Sequence, residues 1–226
     1  MTAYYEEYSK VLVSVDCVVF GFEDNKIKVL IGKRKMNPGK GEKSLYGGFV
    51  KEQESLDEAV SRVLYELTGL KNVYTEQVGT FGAINRDPGQ RVISVAYCAL
   101  IDIYSYYYDQ LVKYDLEWVD LDDIPQLYSD HNKMVDKAVE LLRRKVVHDP
   151  LVFHLLPKEF TLTQMQKTYE AIWQRPLDKR NFRKRVKDIA SIQPTGNIDR
   201  LSSKRGAALY KFCPRLYKAG TPFKIA

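Results

Sequence analysis

The stretch from Gly48 to Leu70 constrains this chain more than any other. Behind the Gly47-Gly48 pair come Glu54, Arg62, Leu64, Glu66, Gly69 and Leu70, a fixed register that closes on a helix-stopping glycine. Between Ser55 and Thr68 the residues Leu56, Val60, Val63, Leu64 and Leu67 recur at helical spacing, which predicts an amphipathic helix with Ser55 near its start. Residues at i, i+3 and i+4 share one helix face, so acids at 63, 66 and 67 would converge into a cage for a divalent ion. Of these three only Glu66 is acidic; Val63 and Leu67 are apolar. A metal can be held by one or two carboxylates with help from substrate phosphates, but activating water for attack on a diphosphate takes an electron-rich site. The segment reads as a packing face with one carboxylate on that turn, too few for such a site.

With 226 residues, 45% of them hydrophobic, the chain can hold one large or two modest domains with a sizeable core. No apolar run approaches the roughly 20 residues a bilayer span needs, and residues 1–7 have neither the basic nor the apolar region of a signal peptide. The expectation is a cytoplasmic protein without a membrane partner. Cys17, Cys98 and Cys213 are odd in number and far apart, so no zinc site is visible; Cys17 and Cys98 sit in apolar runs as small buried hydrophobes. Neither a metal nor a cofactor is expected. The formal charge of +6 hides a division. From 151 to 226 there are 16 Lys+Arg against 5 Asp+Glu, a net of +11, which leaves 19 against 24 for residues 1–150. The asymmetry implies two domains with different partners, the C-terminal one having the charge of a polyanion binder.

Residues 10–22 form a β-branched run that suits a buried strand, and 26–32 supply a second after the Glu23-Asp24-Asn25 turn. Residues 34–43, with Pro38, Gly39 and Gly41, read as a loop. Further strands are expected at 45–50, 73–81, 91–103 and 117–121, and a helix at 132–147. Strands flanked by helices in this order imply an α/β sandwich. The Asp149-Pro150 step is the expected domain boundary, giving 1–150 and 151–226.

Beyond that boundary the pattern changes. Thr161 and Gln164 can form a capping box with Phe160 and Met165 as its staple, opening a helix that Pro176 ends. Asp178 caps a second helix, stapled by Leu177 and Phe182, with Phe182, Val186 and Ile189 as its seam. Two helices at a short turn form a helix-turn-helix. Away from that seam lie Lys179, Arg180, Arg183, Lys184 and Lys187, with Asn181 among them: a face suited to a DNA major groove. Residues 192–209 then read as a β-hairpin wing whose tip carries Arg200, Lys204 and Arg205 for a phosphate backbone.

Three segments carry a family resemblance: the Gly48–Leu70 stretch, the Asn85-Arg86-Asp87-Pro88 loop leading into Val92–Tyr97, and residues 178–184 with Ser203-Lys204-Arg205-Gly206. Residues 118–125, from Trp118 to Pro125, also match the final strand of Nudix domains. The chain resembles the Nudix-related transcriptional regulators, in which a degenerate Nudix domain precedes a winged helix-turn-helix. The residues that match the Nudix box are Gly48, Glu54, Arg62, Glu66 and Gly69; Val63 and Leu67 depart from it where the pattern has acids. The resemblance implies a Nudix α/β/α sandwich for effector sensing and dimerisation, and a C-terminal domain that binds operator DNA. Overall likeness favours the pentose-responsive group, with L-arabinose as effector and release from the operator as its action.

A neutral sugar is held by convergent carboxylates, amides and cations over an aromatic face, whereas ADP-ribose needs cations for its diphosphate. Arg86, Asp87, Lys43, Gln90, Arg91 and Tyr97 lie in or beside the loops expected to rim the cleft, Arg86 and Asp87 first among them. Asp87 before Pro88 also suits a turn, Lys43 a solvated surface and Tyr97 a core. Tyr104, Tyr106, Tyr107 and Tyr108 form an aromatic cluster suited to packing or to an interface. The reading is a homodimeric, effector-responsive DNA-binding regulator and not an enzyme. Two alternatives stay open: an active Nudix hydrolase rebuilt on Glu52, Glu54, Glu58 and Glu66, and an ADP-ribose-sensing regulator of NAD biosynthesis. A single-stranded RNA binder is disfavoured, since residues 179–187 have no interleaved stacking aromatics.

Overall fold

The computed structural model describes residues 7–105, 112–200, 205–218, 223 and 225. Its centre is strand β1 (Leu12–Glu23), which lies parallel to β6 (Val92–Leu100) and antiparallel to β2 (Lys26–Lys33) and β4 (Tyr46–Phe49). The short β3 (Lys43–Ser44) and β7 (Leu116–Asp120) both pair with β2, and β5 (Tyr74–Phe81) closes the far edge beside β6. Helix α1 (Leu56–Thr68) covers one face and α2 (His131–Lys145) the other, so the expected α/β/α sandwich is present.

Strand alternation divides β1 between the two faces. Val15, Cys17 and Val19 pack under Val60, Val63, Leu64 and Leu67 of α1. Val18 and Phe20 turn the other way, toward Met134, Val135, Ala138 and Leu142 of α2. Helix α1 starts as its sequence dictates: Ser55 accepts from the Glu58 amide, Glu58 reaches back to the Ser55 amide, and Gly69 ends the helix in the left-handed region at φ 72°.

The C-terminal module contains β8 (Phe160–Thr161), α3 (Leu162–Trp173), α4 (Lys179–Lys187), β9 (Ile192–Asp199) and β10 (Ala207–Phe212), with strand order β8-β10-β9. The capping box between Thr161 and Gln164 forms, and the Asp178 carboxylate accepts from the Asn181 amide. Helix α3 stops one residue before Gln174, which takes φ 52° and lets the chain turn into α4. Lys204, Tyr106, Tyr107 and Tyr108 lie outside the described residues; Tyr104 is exposed.

Around the Asp149-Pro150 step, where the sequence suggests a boundary, the packing is continuous. Helix α2 ends at Lys145, and the turn Leu151–His154 buries Leu151 and Val152 in the same cluster as the α2 face of the sheet. That cluster continues through Leu155, Phe160, Met165, Tyr169, Ile172, Phe182 and Val186, so sheet and winged helices share one core. Polar ties reinforce it. Arg143 of α2 donates to the Ile172 carbonyl at 2.8 Å and to Gln174 Oε1 at 2.5 Å, and Gln174 donates to Asp122. Tyr74 stacks on His154 with ring centroids 4.8 Å apart. Among the described residues no helix is long and apolar enough to cross a membrane.

A shared core predicts shared unfolding. Leu155→Ala, at a side chain 1% exposed, should cost about 2–5 kcal/mol and lower one common transition for both modules in scanning calorimetry. Two transitions, of which only one moves, would show that the modules unfold separately.

Candidate functional site

On the α2 face of the sheet, beyond the end of the apolar core, a cavity of about 280 Å³ opens between β1, β4, the loop after β2 and the start of α2. Its floor is polar because β1 and β6 change character there. Ser14 and Asp16 occupy the same alternating face as Val18 and Phe20, and the Ser94 hydroxyl donates to Asp16. Asp16 is the one charged residue between positions 12 and 22, which was the available signal for it.

Arg86 is 9% exposed and comes from the β5–β6 loop. It donates from Nε and Nη2 to the two oxygens of Asp130, at 3.1 and 2.8 Å, and lies 3.9 Å from Asp16. The Ser129 hydroxyl donates to the Arg86 carbonyl, fixing the loop against the start of α2. His131, 3% exposed, accepts from the Leu45 amide through Nδ1 at 3.1 Å. This leaves its proton on Nε2, 3.8 Å from Asp16. Burial holds the imidazole below its ordinary titration range, with Asp16 opposing and Arg86 reinforcing the shift.

At the rim, Arg34 lies over the Tyr128 ring at 3.9 Å and donates to the Pro38 carbonyl. Lys33 and Lys35 flank it. The Tyr128 hydroxyl is buried and has no hydrogen-bond partner among the described residues. An acidic and hydroxyl-bearing floor below a cationic rim can hold a ligand with both hydroxyl groups and anionic oxygens.

Of the six expected cleft residues, Arg86 and Asp87 line this cavity; the other four do not. Asp87 also accepts from the Gly89 amide at 2.8 Å, the turn-forming role its proline neighbour suggested. Lys43 pairs with Glu117; its neighbour Ser44 takes the cavity side of a strand with period two. Tyr97 belongs to the α1 face of β6, where its hydroxyl donates to Asp57 at 3.3 Å. Arg91 is tied to the Ala83 carbonyl at 2.9 Å, and Gln90 is exposed at the loop surface. Sequence reasoning missed Ser14, Asp16, Arg34, Tyr128, Asp130 and His131, which converge from three separate segments.

Gly48 of the box lines this cavity, and the helical part of the box packs on the opposite face of the sheet. Val63 and Leu67 are 1% and 0% exposed, buried in the α1 core, and a Cβ on Gly48 would meet Val63 at 3.2 Å. Arg62 donates to both oxygens of Glu54, at 3.0 and 2.6 Å, and that pairing pulls the Glu54 carboxyl down to about 2. Glu58 serves the helix cap, and Glu66 approaches Arg62 at 3.7 Å. Among the described residues no group of three or more His, Cys, Asp and Glu is arranged to hold a metal ion.

In the C-terminal module, Phe182 and Val186 of α4 are buried while Lys179, Arg180, Asn181, Arg183, Lys184 and Lys187 are exposed, as is Arg205 at the wing. Arg185, absent from the sequence reading, is exposed too. At about 100° per residue, Arg180 and Lys184 project opposite the buried seam, while Lys179 and Arg183 lean to one flank. None of the α4 cations has an ion-pair partner among the described residues, which leaves the helix available to a polyanion.

A Nudix sandwich joined to a winged helix-turn-helix with a basic second helix has the build of a DNA-binding regulator with a small-molecule pocket. Family models agree: residues 10–138 match the NUDIX domain, and residues 152–212 match the NrtR DNA-binding winged helix domain. The chain belongs to the NrtR family of Nudix-related transcriptional regulators. It is 31% identical over 220 residues, covering 96% of this chain and 88% of its relative, to the ADPR responsive transcriptional repressor NtrR of Acinetobacter baylyi. The crystal structure of Shewanella oneidensis NrtR complexed with a 27mer DNA matches at TM-score 0.83 and 30% identity, covering 93% of this chain and 98% of that one. The NUDIX domain of the same protein complexed with ADP ribose matches at TM-score 0.51 and 31% identity, over 63% of this chain and 99% of that one. The pentose expected from the sequence finds no support among these relatives.

The buried imidazole gives a testable pH dependence. Below about 6.5, the ordinary histidine value, the unfolded chain takes up a proton that folded His131 resists, so stability is full above that pH and falls below it. The fall ends once pH passes the lowered folded value. Thermal melts between pH 8 and 5 should show a smaller loss for His131→Asn, whose amide oxygen can still accept from Leu45. Identical slopes would remove His131 as a source of the effect.

Proposed function

We propose that the chain is a homodimeric repressor that leaves its operator when ADP-ribose occupies the Nudix-domain cavity. The observation that carries this reading is the cavity itself, with carboxylate, hydroxyl and imidazole groups on its floor and arginine and lysine at its rim. A ribose presents hydroxyls to the first set, and a diphosphate presents anionic oxygens to the second. At about 280 Å³ the cavity encloses part of such a ligand and leaves the remainder at the rim. The Acinetobacter and Shewanella relatives, named for ADPR response and complexed with ADP ribose and with DNA, support both halves of the reading.

On this reading Arg180 and Lys184 read base edges, Asn181, Arg185 and Lys187 support them, Arg205 follows the phosphate backbone from the wing, and Lys204 adds a further backbone contact. Pairing of two chains supplies two half-sites. Binding without hydrolysis follows from the box, where two carboxylate positions are filled by buried Val63 and Leu67.

Titration calorimetry on the full chain should show binding of ADP-ribose and none of L-arabinose, and ADP-ribose should lower operator affinity in fluorescence anisotropy. Arg34→Ala should weaken ADP-ribose about tenfold, or ~1.4 kcal/mol, without changing operator affinity when no ligand is present. If ADP-ribose leaves operator binding unchanged, the effector assignment fails while the DNA assignment stands. A magnesium-dependent turnover of about 1 per second or more, lost in Glu66→Gln, would make the protein a hydrolase.

A further inference from the structure

Between the two modules lies a second groove, separate from the ligand cavity. It is bounded by the β1–β2 turn of the sandwich, the first turns of α3, one flank of α4 and the base of the wing, and encloses about 710 Å³. Lys167, Lys179 and Arg183 line it, together with the neutral donors Thr163, Gln164 and Asn25. No carboxylate is among the described residues that line it. Lys179 and Arg183 are the α4 cations that lean away from the base-reading line of Arg180 and Lys184, and neither is paired among the described residues. Lys167 is partly neutralised by Glu170, at 2.7 Å.

Asn25 belongs to the sensor domain, and its position is fixed. Glu23 and Lys26 pair across the hairpin, so Asp24 and Asn25 form a two-residue turn, with φ 53° and 61°. Positive φ at both central residues is the stiff type I′ geometry that asparagine and glycine favour. The hairpin is held against the winged module from the side, because β2 packs on α3 and Asn25 also borders the cleft lined by Ala171 and Gln174. An amide on a rigid tip therefore faces the same space as three cations.

We propose that this groove seats a phosphate of the DNA backbone, so that the sensor domain itself touches DNA through Asn25. The inference rests on the DNA-binding reading and adds to it a contact from outside the winged module. Cations, of which only Lys167 is shared with an acid, together with neutral N–H or O–H donors are the chemistry of a backbone contact, which positions the duplex without reading its sequence.

The test uses the full chain with an operator duplex and a scrambled duplex, by fluorescence anisotropy at roughly 50 and 200 mM salt. Asn25→Asp keeps a residue that tolerates positive φ and places a carboxylate against the phosphate; affinity for both duplexes should fall by about tenfold at low salt. Asn25→Gly keeps the turn and removes the amide, and should cost both duplexes about threefold. Lys167→Ala should reduce the slope of log affinity against log salt by about one. Thermal midpoint and ADP-ribose affinity should match wild type in every variant, which separates a DNA phosphate from a second site for the ligand's diphosphate. If Asn25→Asp binds both duplexes within twofold of wild type, or loses affinity for the operator alone, the phosphate contact is wrong. If Arg180→Ala with Lys184→Ala also leaves operator affinity unchanged, the failure belongs to the winged-helix reading itself.

Discussion

Val18, Phe20, Val29 and Ile31 of the sheet are buried in one cluster with Leu155, Phe160, Tyr169 and Ile172 of the C-terminal module. Such continuity removes the usual freedom of two domains on a linker, because separating them would return that apolar surface to water at roughly 25 cal/mol per Å². Helix α2 is where the constraint concentrates. Its first residue, His131, stands in the polar cavity, and near its other end Arg143 holds the last turn of α3. The helix is 15 residues long, about 22 Å at 1.5 Å per residue, so one rigid element touches both the cavity and the winged module.

The cavity floor gathers Asp16, Arg86, Asp130 and His131 where water is scarce. Burying charge is costly, and these groups are held there by mutual pairing: a bidentate Arg86–Asp130 contact, a Ser94 hydroxyl on Asp16, and a neutral imidazole between Leu45 and Asp16. Removing Arg86 would leave two carboxylates without their cation, which makes it a structural member of the site as well as a wall of it. Tyr128 differs. Its buried hydroxyl has no partner among the described residues, a condition that costs about 1–3 kcal/mol and that a bound polar group would relieve.

The residues of the box also hold the fold together. Gly48, Glu54, Arg62 and Gly69 retain structural work: Gly48 lets β4 lie against Val63, the Arg62–Glu54 pair ties the preceding loop to α1, and Gly69 ends the helix. Val63 and Leu67 instead add buried apolar surface beneath the helix, which favours stability over ion binding.

Periodicity and capping are local properties, and they determined much of this protein from its sequence alone. The strands of the sandwich, the α1 register, the capping box at Thr161, the Asp178 cap and the basic face of α4 all depend on residues within a few positions of one another. The charge division along the chain is equally a property of composition. The candidate site was less legible because its members are far apart: Asp16, Arg86 and Asp130 meet only when β1, the β5–β6 loop and the start of α2 come together. Strand alternation then decided which neighbours entered, bringing in Ser44 and leaving out Lys43, and placing Tyr97 under α1. Folding also set Asn25 beside Lys179 and Arg183 across 154 positions of sequence, because only packing of the hairpin on α3 closes that distance.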